Sequence, residues 1–298
     1  MQALRGAAES IGIVATFYLE TVEAPTKILD FSFNVPGMYN STDAAIHAFA
    51  HIQDFAQNAS VMDSGLSFGF YMDGTVFTVR GSYMGDEHHF SSVIHPELVR
   101  GLPFPIDNDF HENDWITSLT NWGGVGSLTQ PTKGYDAHDN FFAKSVTIPE
   151  STPLTTAALE SYFSYLINNG THAPVNWFSI INLYGGPGSL INTMNTTKDA
   201  AYPDRDSLWV VQHYGFVNNM TLFPDAGLNF VNGLNTAMTQ AMPDAKFGAY
   251  LNYVDPSLSA EDAHRLYYGD EIYGRLQFIK EAYDPKNIFW NPQAVTIA

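Results

Sequence analysis

The stretch GAYLNYVDPSLSAEDAHRLYYGDEIYGRLQFIKEAYDPKNIFWNPQAV, Gly248–Val295, packs three kinds of local structure into one run. It opens with a β-like segment, Gly248–Tyr253, where alternation puts Tyr250 and Asn252 on one face and Leu251 and Tyr253 on the other. Asp255-Pro256 ends that segment, since proline offers no amide proton to a ladder. Helical periodicity then covers Ala260–Ala282, with Ser257 and Ser259 as N-terminal caps and Asp284-Pro285 as the stop. A phenol at the end of a strand, next to a turn, can reach a ligand while the strand holds it still.

Upstream, strand patterns occur at Ile28–Val35, Leu66–Met72, Thr75–Ser82, Phe141–Val146, Trp177–Leu183 and Leu208–Tyr214. The opening Ala3–Val14 reads as a polar turn running into a further β-branched strand, with Thr16, Tyr18 and Thr21 following. Helical spacing covers Ser41–Gln57, Pro153–Leu166 and Ala226–Met242, the first behind the Ser41-Thr42-Asp43 cap. Strands and helices mix without a regular βα repeat. The fold class is therefore α+β, an antiparallel β-sheet with helices packed on one face. Gly101–Gly134, rich in Gly, Pro, Asn and Asp, reads as a long connecting loop or lid.

Composition narrows the partners. The 298 residues carry 31 acidic and 13 basic side chains, a formal charge of −18. Such a surface repels phosphate backbones and anionic lipid, so nucleic acid and membrane are not expected partners. No run approaches the roughly 20 apolar residues of a membrane span. With no cysteine there is neither a disulfide nor a thiolate nucleophile. Sequons at Asn40, Asn58, Asn169, Asn195 and Asn219, in an acidic chain, point to a secreted glycoprotein.

Other chemistries fit poorly. His88 and His89, near Asp86, Glu87 and His95, lack the i, i+4 spacing of a helical zinc site and read as a solvated loop. A serine hydrolase would need a Gly-x-Ser-x-Gly elbow. Gly123-Gly124-Val125-Gly126 and Gly185-Gly186-Pro187-Gly188 do not have the spacing of a dinucleotide fingerprint.

The order Tyr-x-Asn-Tyr-x-Asp, Tyr-Tyr-Gly, Arg-Leu, Ile-Lys and Tyr-Asp-Pro-Lys-Asn-x-Phe within Tyr250–Phe289 resembles the C-terminal segment of berberine-bridge-enzyme-like flavin oxidases, fungal oligosaccharide oxidases among them. The resemblance implies FAD as cofactor, oxidation of a sugar-like or secondary-metabolite alcohol, and molecular oxygen as electron acceptor. It implies that Tyr253 is the catalytic base and that Tyr250 and Asn252 face the cofactor. It matches Asn182, before the turn Leu183-Tyr184-Gly185-Gly186, to a catalytic aspartate of the oligosaccharide oxidases. Asparagine can hydrogen-bond a phenol but cannot take its proton. Asp204 likewise stands where relatives usually have histidine. Gln212, in Trp209–Tyr214, and Lys144, in Phe141–Ser145, become candidate substrate contacts. The resemblance divides the chain into 1–25, the end of an FAD-binding domain, 26–247, an α+β substrate domain, and 248–298, a segment returning toward the flavin side. It covers the substrate half of such enzymes, without the upstream FAD-binding half. The alternative is a non-catalytic remnant that retains no FAD.

Overall fold

The computed structural model describes residues 2–103, 107–129, 139–194, 200–218 and 221–298. The strands are β1 (Ile28–Asn34), β2 (Leu66–Met72), β3 (Phe77–Tyr83), β4 (Asp107–Asn113), β5 (Asp139–Pro149), β6 (Asn176–Leu183) and β7 (Ser207–Asn218). They form one sheet in the order β4-β1-β3-β2-β6-β7-β5, and every pairing is antiparallel. The helices are α1 (Thr42–Ala56), α2 (Glu87–His89), α3 (His95–Leu98), α4 (Trp115–Gly123), α5 (Thr156–Gly170), α6 (Asp225–Thr239), α7 (Ala260–Tyr267) and α8 (Gly269–Tyr283). No helix among the described residues is long and apolar enough to cross a membrane.

Alternation decides which face each strand buries. In β7, Trp209, Val211 and His213 are buried, while Gln212 and Tyr214 lie half-exposed on the other side. Phe68, Phe70 and Met72 of β2 and Trp177 and Ile181 of β6 join the buried set under α1, α5 and α6. At its centre Phe49 of α1 stacks on Phe70 at 4.7 Å, and Trp209 stands 5.5 Å from Phe70. Each such side chain contributes roughly 1.5–3 kcal/mol by leaving water.

The opposite face is largely open. Parallel rings cross it: Phe141 stacks on Tyr214 at 4.9 Å, Tyr214 on Phe178 at 4.8 Å, and Phe178 on Tyr71 at 5.9 Å. Toward the β1 end, α4 lies over this face. It is held there by Asp30, whose carboxylate accepts from Ser82 Oγ (2.7 Å), Asn113 Nδ2 (2.8 Å), Ser118 Oγ (2.9 Å) and Trp122 Nε1 (2.9 Å).

A second apolar cluster joins the two ends of the chain: Ala3, Ala7 and Ile11 pack with Ala249, Tyr267, Tyr268, Ile272, Leu276 and Val295. Lys280 anchors it. Fully buried, its ammonium donates to Asp284 Oδ2 (2.6 Å), Ser10 O (2.7 Å) and Phe289 O (2.7 Å). Asp284 in turn accepts the amides of Ile288 (2.8 Å) and Phe289 (2.9 Å).

Several expectations change. Gly248–Tyr253 is not a strand: one bridge joins Gly248 to Thr147, and a turn follows in which Tyr253 N donates to Tyr250 O at 2.9 Å. Asp255-Pro256 lies too close to leave room for a ladder. The helix expected over Ala260–Ala282 is two helices, because Gly269 takes φ +65 and starts a new one. Ser259 caps α7, whereas Ser257 turns back to Asp255. Gly101–Gly134 contains β4 and α4, so a polar composition concealed an edge strand and a capped helix. His88 and His89 sit in the short helix α2, exposed, not in a loop. Residues 12–25 belong to no strand, and Ile13, Phe17, Tyr18, Leu19 and Val22 are exposed.

Candidate active site

The turn after Gly248 places four tyrosines together at one end of the open face. Ser145 of β5 sets the position: the amide of Tyr250 donates to its Oγ at 2.9 Å. From there the Tyr250 ring meets Tyr253 edge-on at 5.0 Å, Tyr202 at 6.1 Å and Tyr184 at 6.2 Å. Asn252 Nδ2 donates to the Tyr250 phenol oxygen at 2.8 Å.

The surrounding phenols hold their protons firmly. Burial, followed by the neighbouring Tyr250, raises Tyr253 above the ordinary phenol range. Burial and the same neighbour push Tyr184 up to about 12. Burial and Asp204 raise Tyr202, whose buried hydroxyl has no hydrogen-bond partner among the described residues. An orphaned buried hydroxyl in a concave aromatic cluster can accept a ligand or a water.

The other expected residues divide. Asn182, one residue from the end of β6, lies on the open face opposite Gly69 of β2 and Val210 of β7. Among the described residues its carboxamide makes no hydrogen bond, to Tyr253 or to any other group. Gln212 is the ladder neighbour of both Ser145 and Ile180, half-exposed on the same face and free to bind. Lys144 is committed elsewhere. Its ammonium pairs with the buried Asp255 and approaches Ser257 Oγ at 3.4 Å, so it ties the tyrosine turn to the sheet edge. Asp255 is also held through its backbone, where its amide donates to the Tyr267 phenol at 3.0 Å and its carbonyl accepts Gln293 Nε2 at 2.8 Å.

A groove of about 490 Å³ extends from Asn182 and Tyr184 along the open face, with Gly69 and Ile180 on its floor and Trp115, Leu119 and Trp122 of α4 as a wall. Its size falls within the usual range of small-molecule sites. Tyr184, Tyr202 and the α4 tryptophans were not picked out as site residues by sequence. Tyr184 and Tyr202 lie inside the motifs that pointed to the site, but α4 fell in a region read as loop.

Among the described residues the glycine runs offer no phosphate cradle for FAD. A Cβ on Gly185 would meet Ser207 O at 2.3 Å and one on Gly186 would meet Ala56 O at 2.5 Å, so these glycines admit the chain's own backbone. Gly124, at φ +60, closes the end of α4. What remains is the tyrosine cluster and an adjoining cavity of about 540 Å³ lined by Leu251, Asn252, Tyr267 and Tyr268.

Residues 249–296 match the family described as Berberine and berberine like. The chain is similar to the berberine-bridge-like FAD-linked oxidoreductases. A chitooligosaccharide oxidase of Gibberella zeae is 29% identical over 98% of this chain and 57% of its own length. An FAD-linked oxidoreductase of Metarhizium anisopliae is 30% identical over 99% of the chain and 56% of its own. Among solved structures, a xylooligosaccharide oxidase from Myceliophthora thermophila in complex with xylobiose superposes with a TM-score of 0.88 at 27% identity, covering 99% of this chain and 61% of that one. The α+β fold of this chain is thus that of the oligosaccharide oxidases, and the chain spans a little over half the length of the relatives it matches.

Proposed function

We propose that this berberine-bridge-like chain forms the substrate side of an FAD-linked alcohol oxidase acting on a sugar-like molecule, with molecular oxygen as the terminal oxidant. The observation that carries the reading is the cluster of Tyr250, Tyr253, Tyr184 and Tyr202 at the head of an open groove, in a chain similar to oligosaccharide oxidases. FAD, when bound, would supply an acceptor for the hydride leaving the alcohol carbon. Tyr250 and Asn252 would stand against it. Tyr253 takes the hydroxyl proton, and Gln212 with Asn182 orients the alcohol. Because burial and Tyr250 raise the Tyr253 phenol, it is protonated at neutral pH. A base must be ionised to act, so turnover should climb into alkaline pH.

Tyr253→Phe in the flavin-loaded protein should lower turnover by about 100-fold or more and remove the alkaline limb, leaving flavin absorbance intact. Unchanged turnover would move the base to another group, with Tyr250→Phe as the next variant. A colourless protein that releases no peroxide after incubation with FAD would favour a second reading, that of a carbohydrate-binding chain without flavin, which the lack of a phosphate cradle among the described residues supports.

Secretion belongs to the same proposal. Asn40 and Asn169 are exposed and Asn58 is half-buried, while Asn195 and Asn219 lie outside the described residues. Loss of mass when the native protein is treated with an endoglycosidase would support it, and an unmodified native chain would count against it.

A further inference from the structure

Three residues line up across adjacent strands of the open face. Arg80 of β3 pairs with Gly69 of β2, and Gly69 pairs with Asn182 of β6. Partners in an antiparallel register share a face, and two strand spacings separate the outer pair by about 10 Å at the Cα atoms. The middle position has no side chain, and it cannot acquire one. A Cβ there would meet Ile181 O at 2.6 Å and Asn182 Oδ1 at 2.7 Å. The result is a slot with a carboxamide at one end, a guanidinium at the other and bare backbone between them.

Arg80 is held in place without being neutralised. Its guanidinium lies 5.6 Å from the Tyr71 ring centre and 5.3 Å from that of Trp122. Trp122 is itself fixed by its Nε1 donating to Asp30 and Ser82. Stacking of this kind restricts the side chain while leaving its N–H groups free to bind. Among the described residues Arg80 has no ion pair and no hydrogen bond. Two carboxylates line the neighbouring recess beside it, and both are already engaged: Asp30 by its four donors, Asp109 by His111 at 2.7 Å. In a chain of net charge −18, long-range attraction cannot draw an anion here. Recognition must come from the local fork of donors.

We propose that the groove selects an acidic sugar, a substrate whose carboxylate is bound by Arg80 while its reacting alcohol lies at the Asn182 end beside the tyrosines. The span from Arg80 to Asn182 is of the order of a disaccharide. The wall of Trp115, Leu119 and Trp122 offers apolar surface and few hydrogen-bonding groups, and Ser82 and Ser118 are occupied by Asp30. A neutral sugar finds only ordinary hydrogen bonds here, whereas a carboxylate gains a charge-assisted, bidentate partner. The inference rests on the reading of the tyrosine cluster as the reacting end.

The test is binding to the purified full chain, by calorimetry, of cellobiouronic acid (glucuronosyl-β-1,4-glucose) against cellobiose. The acid should bind at least about ten-fold more tightly at low salt, and the gap should narrow as salt rises. Arg80→Met, which keeps an aliphatic stem but removes the guanidinium, should close the gap, and Arg80→Lys should restore part of it. Thermal melting of each variant separates loss of recognition from loss of fold. Equal affinity for the two sugars, no binding of the acid, or a preference that survives Arg80→Met in a folded protein would overturn the inference. Binding of the acid through Arg80 in a protein that oxidises nothing supports it and counts only against the oxidase reading. Oxidation of cellobiose with no preference for the acid does the reverse.

Discussion

His213 lies directly beneath the site, between Gln212 and the helices, and its burial makes a quantitative claim about acid. The imidazole is fully buried, its Nδ1 is 2.7 Å from Ser179 Oγ, and its Nε2 has no partner among the described residues. Burial first, and the nearby Lys144 charge second, depress its pKa to about 3. In the unfolded chain the same ring takes a proton below about pH 6.5. The folded state thus binds the proton later, and the stability present above about pH 6.5 is lost as pH falls toward about 3. From about pH 7.5 to about pH 4.5 the penalty is ~2.7 kcal/mol, two pH units below the free pKa at about 1.4 kcal/mol each. For a chain of this size the unfolding entropy is about 0.6 kcal/mol per degree, so the effect on Tm is about 4 °C. Carboxylates also titrate in this range, so the measurement is a difference of differences. Melting of wild type and His213→Phe is followed by calorimetry at both pH values, and any pH-independent packing cost of the variant cancels. The acid-induced fall in Tm should be about 4 °C smaller in the variant. Parallel pH profiles, or an imidazole resonance in the native protein that titrates near its ordinary value, would refute the reasoning.

Lys280→Ala removes three hydrogen bonds and leaves the Asp284 carboxylate buried without its cation, so Tm should fall by roughly 5 °C or more. Lys280→Met combined with Asp284→Asn should recover part of the loss, and a double variant no better than the single one would show that the ion pair is not the cause. Asn182→Asp installs a group that can take a proton at the open end of β6, and turnover of the flavin-loaded protein on an oligosaccharide should rise by about ten-fold or more. An unchanged rate would place the proton's destination away from β6.

Much of the fold was legible in the sequence because its periodicities are local. Leu66–Met72 alternates cleanly and is β2 to the residue, and Ser41 caps α1 through the amide of Ala44 at 3.2 Å. The elements that escaped notice are those whose burial is weak. β4 is a polar edge strand with almost no apolar alternation, whereas α4 does carry Trp115, Ile116, Leu119 and Trp122 but is short and flanked by residues rich in Gly, Asn and Asp, which masked it. The reverse error occurred at Gly248–Tyr253, where an alternating pattern met a backbone that pairs at a single bridge before turning. Strand pairing is a tertiary event, and alternation cannot report whether a partner edge is free.

The site divides in the same way. Tyr250, Asn252, Tyr253, Asn182 and Gln212 are candidates because they lie in short motifs. Lys144 is a candidate on the same ground, but its pairing with Asp255, 111 positions away, is visible only in the fold. Sequence alone determined the α+β class, the acidic surface, the absence of thiol chemistry and the tyrosine-rich closing segment that names the relatives. Tertiary structure decided that Tyr184 and Tyr202 join that segment, that both ends of the chain share one core, and that Arg80 faces Asn182 over a glycine. Those facts depend on strand order and register, which distant residues set together and which no local window contains.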